Sequence, residues 1–116
     1  MAQDTIFSKI VAGEIPCNKV YEDDLVLAFE DINPSAKVHV LVIPKSNHLE
    51  RLSEVVEDDA NLMGHMMVCI NKIAKDLGID KTGYRVITNS GENAHQEVPH
   101  LHFHILGGES LNKRNN

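Results

Sequence analysis

An α+β fold is predicted for this chain: a five-stranded, mainly antiparallel sheet with one long helix and one or two short ones. Three observations predict it. Residues 59–77 repeat apolar side chains at helical spacing. Short runs rich in β-branched residues are separated by turn signals. Residues 100–105 alternate histidine with an apolar residue without a break. The order helix, three strands, helix, two strands suits an antiparallel sheet rather than repeated βαβ units.

The first element reads as a short helix capped by Asp4 or Thr5, with Ile6, Phe7, Ile10 and Val11 at helical spacing and Gly13 as the stop. Pro16 then holds the chain extended. Val20 and Tyr21 open a strand, Glu22-Asp23-Asp24 turn it, and Leu25 to Phe29 form the second strand. Asn33-Pro34-Ser35 is a loop signal, and Val38 to Ile43 is a third strand that Pro44 should stop. From about Asp59 to Leu77, the residues Leu62, Met63, Met66, Met67, Ile70, Ile73, Ala74 and Leu77 form an apolar stripe ended by Gly78. That stripe is wider than one core contact requires. It fits either deep packing on the sheet or an outer edge that meets a second subunit. Tyr84 to Thr88 is the fourth strand, 89–94 a polar loop, and Leu101 to Leu106 the fifth strand, ended by Gly107-Gly108. Residues 1–116 read as one domain, with about 109–116 as a tail that frays from Asn112 onward.

Composition narrows the function. Eleven basic against seventeen acidic residues give a net charge of −6, which disfavours general nucleic-acid binding. It leaves room for a small nucleotide held by a few placed donors. No apolar run is long enough for a membrane helix, and no basic-then-apolar leader is visible, so a cytoplasmic protein without membrane partners is expected. Cys17 and Cys69 stand far apart in no metal or redox spacing, and Cys69 falls on the apolar side of the long helix.

The chemistry concentrates in His100-Leu101-His102-Phe103-His104. On a strand, alternate side chains share a face about 6.6–6.8 Å apart, so the three imidazoles should face one way and Leu101, Phe103 and Ile105 the other. The apolar face has a partner in the long helix. The imidazole row supports zinc binding, with His48 and His39 as further ligands, or nucleophilic catalysis by one ring positioned by its neighbours. A merely polar outer face is the plain alternative.

The segment Gln96-Glu97-Val98-Pro99-His100-Leu101-His102-Phe103-His104-Ile105-Leu106-Gly107-Gly108 resembles the signature of the histidine triad family. Thr5 to Ile10, Glu14-Ile15-Pro16, Phe29 to Pro34 and His39 to Lys45 fall in the order and spacing of its Hint branch. The resemblance implies a homodimeric enzyme that hydrolyses purine nucleoside phosphoramidates and related adenylates, so AMP or GMP conjugates are the expected substrates. It places the nucleophile at His102, phosphate and leaving-group contacts at His104 and His39, and orientation of the nucleophile at His100. It places the ribose grip at Asp31, the base slot at Ile32, Ile6, Phe7 and Ile10, and the phosphate approach at Asn89, His95, Gln96 and Glu97. No cofactor is implied.

Departures from the family pattern qualify this. Thr5 and Ser8 stand where some relatives carry a zinc-binding Cys-x-x-Cys, so no metal is expected. His95 replaces a common glycine, Glu97 a serine of the animal proteins, and Pro99 a usual aromatic. Three other functions compete: a dinucleoside polyphosphate hydrolase of the Fhit type, a nucleotide-binding regulatory dimer with incidental catalysis, and a histidine-rich metal binder.

Overall fold

The computed structural model describes residues 4–113. Seven regular elements follow one another: α1 (Ile6–Val11), β1 (Lys19–Glu22), β2 (Val26–Glu30), β3 (Val38–Pro44), α2 (Ala60–Asp76), β4 (Tyr84–Ile87) and β5 (Phe103–Gly107). Short 3-10 turns occupy Leu52–Glu54, Glu57–Asp59 and Glu92–Ala94. The strands form one five-stranded sheet in the order β1-β2-β3-β5-β4. Each neighbouring pair is antiparallel. The last strand thus enters between β3 and β4, which sets the histidine segment in the middle of the sheet.

The two faces differ in what covers them. Val26, Ala28, Val40, Val42, Phe103 and Ile105 pack against Met66, Cys69, Ile70, Ile73 and Ala74 of α2. Each large side chain so buried contributes roughly 1.5–3 kcal/mol. On the opposite face Leu27, Phe29, Leu41 and Ile43 gather around Phe7 of α1. Helix α1 is only six residues long and is held by a reciprocal cap. The Thr5 hydroxyl accepts from the amides of Phe7 and Ser8, and the Ser8 hydroxyl accepts from the Thr5 amide. Thr5, not Asp4, is therefore the cap.

The broad stripe of α2 resolves into two parts. Its inner side is core, with Met66 and Cys69 fully buried, while Met67 and Val68 on the outer edge are 44% and 54% exposed. No helix among the described residues is long and apolar enough to cross a membrane.

Several boundaries differ from expectation for identifiable reasons. Pro44 is the last residue of β3 rather than the first beyond it, because it pairs with Val26 of β2 at a point β5 does not reach. The fifth strand begins at Phe103 instead of Leu101. Before that point the Leu101 amide bonds the Leu49 carbonyl, so the chain follows the 45–49 loop before it joins the sheet. β2 starts at Val26 because the Asp23 carboxylate takes the amides of Leu25 and Val26 into the turn. Gly107 leaves room where β5 ends, since a Cβ there would meet Ile79 Cδ1 at 3.0 Å, closer than ordinary contact. At the start of the expected tail, the Glu109 carboxylate accepts from the Lys37 amide. Residues 112–113 carry no regular structure, and 114–116 lie outside the described residues.

Candidate active site

The face away from α2 carries four histidines. His39 and Leu41 share that face on β3, and His104 stands opposite Leu41 on β5. His39 and His104 are therefore diagonal neighbours, a spacing that long side chains bridge. Their rings do bridge it, with His39 Nε2 and His104 Nδ1 2.9 Å apart.

One backbone amide settles which nitrogen carries each proton. The Ser35 N–H donates to His39 Nδ1 over 2.9 Å, so that nitrogen has a lone pair and His39 is the neutral Nε2–H form. His39 then donates from Nε2 to His104 Nδ1. His104 is left with its proton on Nε2. Burial, partly countered by Asp31, lowers the His39 pKa in keeping with this neutral form. Burial, with repulsion from His102 and His39, brings His104 down to about 4.

His102 follows the same logic. Its Nδ1 lies 2.7 Å from the carbonyl oxygen of His100, which can only accept, so Nδ1 bears the proton and donates it. Nε2 is therefore the lone-pair nitrogen. Burial lowers the pKa of this ring too, which keeps it neutral and available as a nucleophile. The Thr88 hydroxyl donates to the His102 carbonyl over 2.7 Å and fixes the backbone beneath it. The edge of the Phe7 ring packs against the imidazole, with centroids 5.1 Å apart.

His100 shares the face, although it precedes the strand. Its Nε2 donates to the Pro44 carbonyl over 2.8 Å, tying the loop before β5 to the end of β3. Its Nδ1 is buried without a partner among the described residues. Burial lowers its pKa. His100 thus acts on His102 through the backbone: its ring anchors the loop and its carbonyl holds the neighbouring ring.

A cavity of about 200 Å³ opens over this row, lined by His102 and His104 with Phe7, Asp31, Leu41, Asn89, His95, Glu97 and Val98. Asp31 Oδ1 accepts from the Asn33 amide in a local turn, and Oδ2 lies 3.4 Å from His39 Nε2. His95 has a left-handed backbone, with φ 59° and ψ 40°, the conformation that favours glycine. It nevertheless lines the cavity as an exposed side chain, as Glu97 does. Gln96 has a bracing role instead. Its amide oxygen accepts from Gly91 N–H, and its amide nitrogen donates to the carbonyls of Glu50 and Val98.

Of the four residues expected in the base slot, Phe7 lines the cavity. Ile10 is half-buried beside Phe7, and Ile6 and Ile32 are 47% and 86% exposed outside the cavity wall. Sequence reasoning missed Ser35, Thr88 and the carbonyl of Pro44. Two of these act through backbone atoms, which every residue has, so no sequence signal marked them.

Two metal-like donor groups occur among the described residues. Asp31, His39 and His104 form one, in which a hydrogen bond joins the two imidazoles. Thr5 and Ser8 spend their hydroxyls on the cap of α1, and His48 contacts Ser46 and Asp59.

An antiparallel α+β fold with three alternating histidines, two of them lining a cavity, and a fourth from the neighbouring strand, defines a histidine triad protein. The chain belongs to the HIT domain family, whose model matches residues 12–111. An uncharacterized HIT-like protein of Synechocystis is 53% identical over 93% of both chains. A solved histidine triad protein from Clostridium difficile superposes with a TM-score of 0.92 at 50% identity, covering 99% of each chain. HIT family hydrolases from Clostridium thermocellum and Legionella pneumophila give TM-scores of 0.93 and 0.91 at 43% and 39% identity. The first covers all of both chains, the second 94% of this chain and 96% of its own. The fold is that of HIT family hydrolases.

Proposed function

We propose that this chain is a Hint-type nucleotide hydrolase that cleaves purine nucleoside 5′-phosphoramidates, and acyl-adenylate-like substrates, to the nucleoside monophosphate. The observation that carries the reading is the orientation of His102. Its Nδ1–H is committed to the His100 carbonyl, which leaves the Nε2 lone pair as the free nitrogen of a neutral ring at the cavity wall.

The steps balance without a metal. His102 Nε2 attacks the α-phosphorus, forming an N–P bond as the bond from phosphorus to the amine or acyl group breaks. A departing amine takes its proton from water, whereas an acyl group leaves as its carboxylate and needs none. The His104 Nε2–H, set by the chain from Ser35 through His39, donates to phosphoryl oxygen and stabilises the developing charge. Water then adds to phosphorus and the P–N bond to His102 breaks, giving the monophosphate and the original ring. Asp31 receives the ribose hydroxyls, and Asn89, His95 and Glu97 approach the phosphate and leaving group. Exposed Ile32 and Ile6 supply apolar surface for the base.

The chain acts as a homodimer in this reading. Support comes from the exposed Met67 and Val68 on α2 and from β4, an edge strand whose Val86 is exposed.

The test is release of adenosine monophosphate from adenosine 5′-phosphoramidate in the presence of chelator. Turnover that persists in chelator and vanishes in His102→Ala supports the reading. Activity that needs zinc bound at His39 and His104 makes the histidines of this site ligands and overturns it. A strong preference for dinucleoside polyphosphates moves the protein to the Fhit type.

A further inference from the structure

On the other side of the sheet, away from the histidine cavity, a second constellation remains unused by this chemistry. Asp23 in the β1–β2 turn meets His65 and Cys69, which stand one turn apart on α2. His65 Nε2 lies 2.7 Å from Asp23 Oδ2, and Cys69 Sγ lies 3.5 Å from His65 Nε2 and 3.6 Å from Asp23 Oδ2. We propose that Asp23, His65 and Cys69 form a binding site for a zinc-like divalent cation that joins the β1–β2 turn to helix α2.

Geometry is the first support. Metal–ligand lengths of about 2.3 Å to sulfur and about 2.0–2.2 Å to nitrogen or oxygen put tetrahedral ligands about 3.6 Å apart when one is sulfur. Both edges to sulfur already have that length. The nitrogen–oxygen edge must open by about 0.6 Å as the His65–Asp23 hydrogen bond gives way to the ion.

Preorganisation is the second. Asp23 Oδ1 is held by the amides of Leu25 and Val26, so the carboxylate cannot swing, and the Tyr21 hydroxyl donates to Oδ2 over 2.7 Å. Such supporting bonds orient ligands in built metal sites. Access is the third: the side chains of His65 and Asp23 are 34% and 26% exposed, whereas Cys69 is fully buried. An ion would enter from the His65–Asp23 side and keep water as its fourth ligand. A catalytic Cys-His-Asp relay is a poorer fit. Carboxylate and thiol both approach the same ring nitrogen, Nε2, whereas a relay needs them on opposite nitrogens.

The proton balance is defined. Burial raises the Cys69 pKa, so the sulfur carries its proton before the ion arrives. The ion takes the place of that proton, which leaves to solvent, while His65 presents Nε2 to the ion and keeps a hydrogen on Nδ1. Thiolate and carboxylate then neutralise the divalent charge. This site is separate from the Thr5 and Ser8 positions on which the expectation of no metal rested, and it does not depend on the proposed hydrolase activity.

Cobalt(II) titration of the chelator-stripped full chain tests the site. The expected result is one equivalent bound, with a near-ultraviolet thiolate-to-cobalt band, visible tetrahedral bands and about one proton released per ion. Zinc should displace the cobalt. Cys69→Ser should abolish the thiolate band, and His65→Ala, at a half-exposed position, should weaken binding at least about ten-fold. Absence of a thiolate band in the unaltered protein overturns the proposal. So does a band that survives in Cys69→Ser, which would point to Cys17, or one whose midpoint His65→Ala leaves unchanged. Should Cys69→Ser fail to fold, the His65→Ala midpoint decides the matter alone.

Discussion

The two faces of the sheet solve opposite problems with alternate residues of the same strands. Leu101, Phe103 and Ile105 meet α2 in a core that shape alone stabilises. His100, His102 and His104 occupy the opposite face, where His100 and His102 are buried, His104 is half-buried, and the ring nitrogens need hydrogen-bond partners. That need is met by atoms held elsewhere: the carbonyls of Pro44 and His100 accept from His100 and His102, and the Ser35 amide donates to His39, which donates to His104. The packed face makes the strand immobile, and an immobile strand lets the polar face keep one tautomer per ring. Stability and reactivity are thus divided by the pleat, residue by residue.

The division makes the faces separable by substitution. His102→Ala should lower turnover by about 10³-fold or more while leaving the melting temperature within a few degrees, because its ring faces the cavity. Ile105→Ala should do the reverse. Deleting a fully buried side chain over α2 should cost about 2–5 kcal/mol by denaturant unfolding, with turnover of the folded fraction nearly unchanged. A variant of Ile105 that lost activity without losing stability would show that the faces are coupled. His39→Ala should come next, at about 10²-fold in turnover, since it breaks the chain that orients His104.

The pH dependence of stability is smaller but has a definite sign. His39, His100, His102 and His104 all have folded-state pKa values below the ordinary 6.5, so the unfolded chain takes up protons first. Their contribution is complete above pH 6.5 and is lost as pH falls toward about 4, the value for His104. Urea midpoints measured across that window should decline, and a midpoint that rises with acidification would contradict the buried neutral rings. Thr88→Val should have the smallest effect, about 1 kcal/mol, as the His102 carbonyl loses its hydroxyl donor.

Side-chain pattern made the strand order of types, the long helix and the triad legible in the sequence, because periods of two and 3.6 are written in residue type. The starts of the strands were not, because they depend on single hydrogen bonds. Asp23 delays β2, and the Leu101 amide holds the chain on the 45–49 loop until Phe103. The site was legible in part. His39 could be named, yet the amide that fixes its tautomer comes from Ser35, four residues earlier in a loop. Gln96 was read as facing phosphate, whereas its amide is spent on Gly91, Glu50 and Val98. The Asp23–His65–Cys69 group escaped notice because Asp23 stands 42 and 46 positions from its partners, and folding alone brings them together.

The central claim is that His102 Nε2 forms a bond to phosphorus. Rapid acid-free quenching of the protein during turnover of adenosine 5′-phosphoramidate, followed by peptide mass spectrometry, tests it most directly. The account predicts one nucleotidyl group on the peptide carrying His102, absent in His102→Ala and discharged by water. An adduct on a different histidine, or steady turnover with no adduct at any quench time, would contradict it.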